Sequence, residues 1–230
     1  MVIVLIITAV RVKSMDSHRI SGRILAENIA GPGMMRLVEQ SMQAQAQKTS
    51  VTEIAVKEWK HPQAALTFDD GPDIRYTPLL LDGLKERNVR ASFFLLGEKV
   101  EQYPELVERM QKEGHLVGNH TYHHVQLNKL NETKAREEIL KTNNLIYETT
   151  GVYPLYLRPP FGAWKKNLEL CVEMLPVFWT IDTLDWKVKN TEKIVRTVKE
   201  QIEDGAIILM HDEYDTSVEA ALQVVDELKN

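Results

Sequence analysis

The sequence predicts an α/β protein of parallel strands joined by crossover helices, and two observations lead to this class. Short apolar runs alternate with amphipathic stretches from residue 51 onward, which is the pattern of repeated strand–helix–strand units. Polar residues able to do chemistry follow several of these runs directly, as they do at the functional edge of parallel sheets. A chain of 230 residues is long enough for one such domain with a full core.

Six apolar runs are predicted to be strands, and they cover residues 64–68, 91–96, 116–119, 156–158, 177–181 and 206–210. Helices are predicted over residues 104–113, 132–149 and 218–229, the first two ending at Gly114 and Gly151. Residues 51–59 alternate in polarity, which favours an additional antiparallel edge strand.

The first residues bear on location. Residues 2–10 are nearly all apolar and are followed by Arg11 and Lys13, but the run is too short to span a bilayer alone and has no basic segment before it. It suits the apolar part of a signal anchor, a buried strand or an artefact of the assigned start. We expect residues 1–50 to be an apolar segment and linker, with membrane anchoring as one role, and residues 51–230 to be the catalytic domain of an extracellular or cell-surface protein.

Composition limits the function classes. The formal charge of -5 is modest, which argues against nucleic-acid binding and suits a neutral polymeric substrate. Cys171 is the only cysteine, so no intrachain disulfide forms and cysteine usage does not define the compartment. Its helical, apolar surroundings favour a buried structural thiol.

Two adjacent carboxylates, Asp69 and Asp70, close the first apolar run and precede the turn signal Gly71-Pro72. One interpretation is a solvated turn in which one Asp caps a helix. The other is a site, because two like charges at a strand end call for a metal, a proton or a substrate. The pair alone does not decide between them.

A second motif, His120 to His124, places two histidines four residues apart. On a helical turn both imidazoles would face the same way, and with one carboxylate they would form a His-His-Asp site for zinc or a similar divalent ion. His123 lies on another face and is interpreted as structural or as a residue that supports the metal ligands. A packing pair is the alternative for two histidines considered alone.

Five ordered motifs resemble those of the polysaccharide deacetylase (NodB-homology) family of carbohydrate esterases over about residues 63–229. They are residues 67–72, 120–124, 158–162, 182–186 and 209–211. The resemblance implies a distorted (β/α) barrel. It also implies that Asp70, His120 and His124 hold the metal, most simply Zn²⁺ with Co²⁺ as the alternative.

The same resemblance implies roles for the other motif residues. Asp69 would be the general base, kept ionised by Arg158, and His211 would be the general acid, held by Asp185. Three residues would contact substrate: Phe161 through its backbone N–H, Trp186 as a wall of the groove and Leu209 beside the acetate methyl. Many relatives carry tyrosine at the position of Phe161.

The implied reaction is hydrolysis of acetyl groups from a polysaccharide, with peptidoglycan or another N-acetylhexosamine polymer ahead of xylan. Two alternatives stay open: a carbohydrate-binding relative that has lost the chemistry, and an esterase for acetylxylan or small acetylated substrates. Relatives usually close their barrel with a strand after the last helix, and this chain stops at Asn230 before one. Two outcomes for the barrel stay open: the N-terminal region fills the gap, or the edge stays open and the barrel is incomplete.

Overall fold

The computed structural model describes residues 2–3, 62–164 and 174–229. The strands are β1 (Val2–Ile3), β2 (Gln63–Asp69), β3 (Ser92–Leu95), β4 (Leu116–Asn119), β5 (Tyr156–Leu157), β6 (Leu175–Pro176), β7 (Ile181–Asp182) and β8 (Ala206–His211). The helices are α1 (Tyr76–Glu86), α2 (Gly97–Gln102), α3 (Pro104–Lys112), α4 (Glu132–Thr150), α5 (Asp185–Val188), α6 (Thr191–Gln201) and α7 (Asp215–Lys229). Two 3₁₀ turns cover Leu127–Lys129 and Pro160–Gly162.

The strands form one parallel sheet in the order β6-β5-β4-β3-β2-β8-β7, with β1 paired to β2 beside this path. The sheet curls into the predicted (β/α) barrel, which is incomplete, and within the described residues no pairing joins its outer strands β6 and β7. Since all pairings are parallel, the C-terminal ends of the strands meet at one edge. That edge carries the motif residues.

The central strands are buried because helices cover the sheet. β3 is buried along its whole length, and β2 is buried at all but one residue. A core cluster joins these strands to α1, α6 and α7 through side chains such as Phe68, Phe93, Leu81 and Val224. A second cluster, which includes Leu127, Ile139 and Leu157, lies under α4. These two cores fix the positions of the strand ends.

One predicted strand is wrong. The run 177–181 is not one strand, because only Ile181 lies in β7, while residues 177–180 connect β6 to β7. The reason is that the segment changes partners: Val177 N–H donates to Leu157 O on one side of the gap, and Thr180 N–H donates to Ile207 O on the other. The connection therefore bridges the open edge of the barrel.

The other predicted elements are found with small shifts at their ends. The last helix begins at Asp215 instead of 218, and Gly151 caps α4 in the left-handed conformation (φ 71°). The predicted edge strand at 51–59 and the environment of Cys171 lie outside the described residues. In the described part of the chain, no helix combines the length and apolarity needed to cross a bilayer.

Candidate active site

Three side chains form a cluster with the geometry of a metal site. One ligand atom each from Asp70, His120 and His124 lies within 4.8 Å of the others. Nε2 of His120 and Nε2 of His124 lie 3.3 Å and 3.4 Å from Oδ1 of Asp70. Asp70 directly follows β2 and His120 directly follows β4, so neighbouring parts of the sheet bring the ligand atoms together.

The protonation states of these groups suit a divalent cation. Oδ1 of Asp70 is buried and accepts no hydrogen bond from the described residues. Nδ1 of His120 lies 2.6 Å from the carbonyl oxygen of Arg158, which only accepts, so Nδ1 carries the proton and Nε2 presents its lone pair. Burial lowers the pKa of His124, which favours the neutral imidazole that binds metals. Two nitrogens and one carboxylate oxygen are a ligand set that suits zinc.

The charge of Asp70 is also consistent with this use. Burial acts to raise the pKa of Asp70, but the positive charge that His120, His124 and His211 carry when protonated outweighs burial and holds that pKa well below its usual range. A bound cation would supply positive charge at the same place. Asp70 adopts a left-handed backbone conformation (φ 69°). This residue follows the end of β2. Asp69 before it pairs with Arg158, whereas Asp70 faces His120.

The predicted helical turn between the two histidines is wrong. Residues 120–124 form an irregular loop in which Thr121 (φ 68°) and His124 (φ 55°) are left-handed. Their imidazole rings still approach, with centroids 5.0 Å apart. His123 lies on the outside, where Nδ1 contacts Oε1 of Glu138 at 2.8 Å, as expected for a structural histidine.

Asp69 forms a buried ion pair with Arg158. Nη1 of Arg158 donates to Oδ1 of Asp69 at 2.7 Å and to Oγ1 of Thr67 at 2.8 Å. The Arg158 side chain is fully buried and lies over the ring of Phe94. The second oxygen of Asp69, Oδ2, lies 3.6 Å from Nε2 of His120. One carboxylate oxygen is thus fixed by the guanidinium, and the other faces the cluster.

His211 and Asp185 form a second pair on the opposite side. Oδ1 of Asp185 lies 2.7 Å from Nδ1 of His211, and Oδ2 accepts the His211 backbone N–H at 2.7 Å. Burial disfavours the imidazolium, but the hydrogen bond and charge of Asp185, together with the charges of Asp69 and Asp70, outweigh burial and raise the pKa of His211 to about 9. Nε2 of His211 points to the cluster, 3.9 Å from Oδ2 of Asp70.

The three residues predicted to contact substrate differ in exposure. Phe161 is left-handed (φ 60°), 62% exposed, and its ring centroid lies 4.5 Å from that of His124. Trp186 is 48% exposed on α5. Leu209 is 5% exposed on β8, where its carbonyl accepts from Thr183 Oγ1. Asp182 supports the neighbouring loop, since its Oδ1 accepts the Leu184 N–H at 3.0 Å.

Two groups of residues around the site were not predicted. Asn119 and Glu138 accept the backbone N–H groups of the loop between the metal-ligand candidates.

The second is a buried carboxylate, Asp212, which accepts a hydrogen bond from the Thr77 hydroxyl. It packs on Gly71, where a Cβ would lie 2.5 Å from Oδ1 of Asp212. Burial raises the pKa of Asp212 to about 7. Asp212 adjoins His211 in sequence, and that adjacency was its only available signal.

Comparison with known proteins places these residues in context. A family model described as polysaccharide deacetylase matches residues 57–177. A peptidoglycan-N-acetylglucosamine deacetylase of Bacillus cereus is 41% identical over 174 residues, covering 73% of this chain and 63% of that protein. The peptidoglycan-N-acetylglucosamine deacetylase PgdA of Listeria monocytogenes is 42% identical over 166 residues, covering 72% of this chain and 36% of that protein.

The structural comparison agrees with the sequence comparison. The peptidoglycan deacetylase PdaC of Bacillus subtilis superposes with a TM-score of 0.71 and 40% identity, covering 74% of this chain and 84% of that chain. The chain spans less than two thirds of the length of the two curated relatives named above.

Proposed function

The chain belongs to the polysaccharide deacetylase family, and we propose that it hydrolyses acetyl groups from an N-acetylhexosamine polymer, with peptidoglycan as the first candidate. One observation carries the proposal: Asp70, His120 and His124 lie together as a ligand set that could hold a metal ion, next to the pairs Asp69–Arg158 and His211–Asp185. Named relatives that act on peptidoglycan support the choice of polymer.

In this proposal Asp70, His120 and His124 hold a divalent ion, with zinc first and cobalt as the alternative. When bound, such an ion supplies Lewis acidity, which polarises the acetyl carbonyl and makes water a stronger nucleophile. Oδ2 of Asp69 accepts a proton from the attacking water, since Arg158 occupies Oδ1 and holds the carboxylate in place.

His211 gives the leaving amine its proton. Asp185 holds Nδ1, so the proton that moves is the one on Nε2, which faces the cluster. The backbone N–H of Phe161 contacts the developing oxyanion, Leu209 lies beside the acetate methyl, and exposed Trp186 lies against a sugar face. In this way each predicted site residue has one task.

The substrate and location are part of the proposal. Peptidoglycan and similar polymers lie outside the membrane, so we propose that the protein acts at the cell surface or in the extracellular space. We also propose that residues 51–230 form the catalytic domain and that residues 1–50 link it to the membrane or to another segment. Comparing membrane and soluble fractions of cells that express the full chain with those that express residues 51–230 tests the anchoring role.

The test of the activity is acetate release from three substrates: peptidoglycan fragments, a chito-oligosaccharide and acetylxylan. We expect release from the first two, its loss after chelation with EDTA and its return with zinc or cobalt. Activity that persists without metal contradicts the proposal. Faster release from acetylxylan than from either N-acetylated polymer favours the esterase alternative.

A binding protein without chemistry is the second candidate. It predicts that Asp69→Asn binds glycan as the wild type does and that neither protein releases acetate. The deacetylase predicts that the same variant binds glycan but loses a turnover that the wild type shows. The two candidates are therefore distinguished by one pair of proteins.

A further inference from the structure

The loop between His120 and His124 has an unusual backbone for its sequence. Thr121 is left-handed (φ 68°), although a β-branched residue disfavours this conformation, and His124 (φ 55°) is left-handed as well. Such a backbone persists only where its surroundings hold it. The ring positions of both metal-ligand candidates depend on that backbone.

Three successive N–H groups of the loop are held by side chains. Thr121 N–H donates to Oδ1 of Asn119 at 2.7 Å. The next two, of Tyr122 and His123, both donate to Oε2 of Glu138, at 3.0 Å and 2.9 Å. The other oxygen of Glu138, Oε1, lies 2.8 Å from Nδ1 of His123. One carboxylate therefore contacts the loop at three atoms.

The opposite side of the loop is held by the backbone of α2. Gly97 N–H donates to Thr121 O at 2.9 Å, and Glu98 N–H donates to Tyr122 O at 3.2 Å. At Gly97 a Cβ would lie 2.4 Å from the Tyr122 ring, so only glycine allows this approach. The loop therefore lies between the backbone of α2, which donates two hydrogen bonds to it, and the Glu138 carboxylate on α4.

Glu138 is well placed to act as one side of this clamp. Its side chain is 16% exposed, and α4 is anchored behind it by the buried Ile139 and by Asn143, whose Oδ1 accepts from Nδ2 of Asn119 at 2.7 Å. The position of α4 is therefore fixed by these buried contacts, and the Glu138 carboxylate accepts the N–H groups of the loop from that helix. It contacts neither candidate ligand ring directly.

We propose that Glu138 is the positioning residue that sets the metal affinity of the His120–His124 pair by holding the peptide groups between them. The proposal rests on the proposed metal site. Removal of the carboxylate lets Thr121 relax from its left-handed conformation, which moves His120 and His124 relative to each other. Partners of this kind outside the ligand set typically change metal affinity by about 10- to 100-fold.

The experiment compares Glu138→Ala, Glu138→Gln and Glu138→Asp with the wild type. Glu137→Ala is the matched control, since Glu137 is the neighbouring exposed glutamate on the same helix. Zinc affinity is measured by competition with a chromophoric chelator. Amide hydrogen exchange of residues 122 and 123 is measured in the metal-free protein, and kcat and KM are measured for acetate release.

We expect Glu138→Ala to bind zinc at least about tenfold more weakly, with faster exchange at both amides and a lower kcat at saturating substrate. Glu138→Gln keeps an oxygen acceptor of the same reach, so its affinity stays within about threefold of the wild type. Glu138→Asp is one methylene shorter and behaves like Glu138→Ala. Glu137→Ala matches the wild type.

Wild-type zinc affinity in a folded Glu138→Ala or Glu138→Asp protein overturns the proposal, even if the variant melts at a lower temperature. An affinity of Glu138→Gln as low as that of Glu138→Ala also overturns it, because an acceptor oxygen would then not suffice. Zinc affinity and amide exchange do not require turnover. If the wild type binds zinc but releases no acetate, the proposed function is contradicted. The zinc affinities of the Glu138 variants still decide the present proposal.

Discussion

Arg158 and Asp69 are joined by a hydrogen bond of 2.7 Å inside the barrel, with side chains that are 0% and 4% exposed. The same guanidinium reaches the carbonyl oxygens of Val177 at 3.4 Å and Phe178 at 3.5 Å. These carbonyls belong to the connection that bridges the open edge of the sheet. Arg158 therefore links the proposed base on β2 to the segment that spans the gap between β6 and β7.

This link predicts a large loss of stability for Arg158→Met. The change leaves the Asp69 carboxylate buried without its partner, which typically costs about 3–5 kcal/mol of unfolding free energy. Lys199→Met is the control, because Lys199 pairs with Glu227, their side chains are 53% and 49% exposed, and such pairs contribute at most about 1 kcal/mol. Urea unfolding measures both variants. Equal losses would mean that the buried pair has no special role.

Asp69 and Asp70 are predicted to differ in metal binding. Asp70→Asn removes the anionic ligand, so zinc binding should weaken by more than the about 10- to 100-fold change typical of residues outside the ligand set. Asp69→Asn should keep zinc but lose acetate release by about 10² to 10⁴, the usual contribution of a general base. Calorimetric zinc titration and an acetate assay on the same preparations measure the two effects. Loss of zinc in both variants contradicts the division of roles.

Asp185→Asn should lower the pKa of His211. In the metal-free wild type, Asp185, with the charges of Asp69 and Asp70, overcomes burial and raises this pKa to about 9; without the Asp185 charge and its hydrogen bond to Nδ1, the pKa should fall. The imidazolium is the acid, so activity is lost as pH rises through the pKa. The alkaline limb of the rate profile should therefore move to lower pH.

The titration is measured from the His211 ring signals by NMR in metal-free protein, and the rate profile is measured with zinc. Asp182→Asn is the control, since Oδ1 of Asp182 accepts a hydrogen bond from the Leu184 N–H and the structure records no contact between Asp182 and His211. A His211 pKa that is unchanged in Asp185→Asn would show that Asp185 does not stabilise the imidazolium.

Much of the site was predictable because each motif is local and ends a strand. Asp70 and His120 follow β2 and β4, and parallel pairing brings such ends to one edge without further information. The loop conformation between His120 and His124 was not predictable. It depends on Glu138, a carboxylate 15 residues from His123 on another element, and no local pattern indicates that contact.

The connection over residues 177–180 shows a similar limit in the fold. Its apolar residues resemble a buried strand, and periodicity does not tell which neighbours a run will pair with. In the structure the two ends of the connection bond to β5 and β8, on opposite sides of the gap. The guanidinium of Arg158 lies beside the carbonyl oxygens of Val177 and Phe178 in this connection. The run itself indicates neither the change of strand partners nor this contact.

His115 predicts how stability depends on acid. Its side chain is 2% exposed beside Phe93, and Ala91 N–H donates to Nδ1 at 3.0 Å, which requires that nitrogen to be unprotonated. Burial lowers the pKa of His115 to about 4, aided by Arg90 and Arg109 and opposed by Glu113. The folded protein therefore keeps His115 neutral at pH values where the unfolded chain protonates it.

The sign follows from proton binding. Between the unfolded pKa of 6.5 and the folded pKa of about 4, the unfolded chain binds more protons, so stability falls as pH decreases through this window. The full effect is about 3 kcal/mol. His115→Asn places Oδ1 where Nδ1 accepts from Ala91 and has no proton to gain, so its stability should fall less steeply below pH 6.5. At pH 8 the imidazole is neutral in both states, and the difference between the proteins there gives the packing cost of the substitution. Urea unfolding from pH 8 to pH 4 measures both quantities, and parallel curves for the two proteins would contradict the assignment of this acid sensitivity to His115.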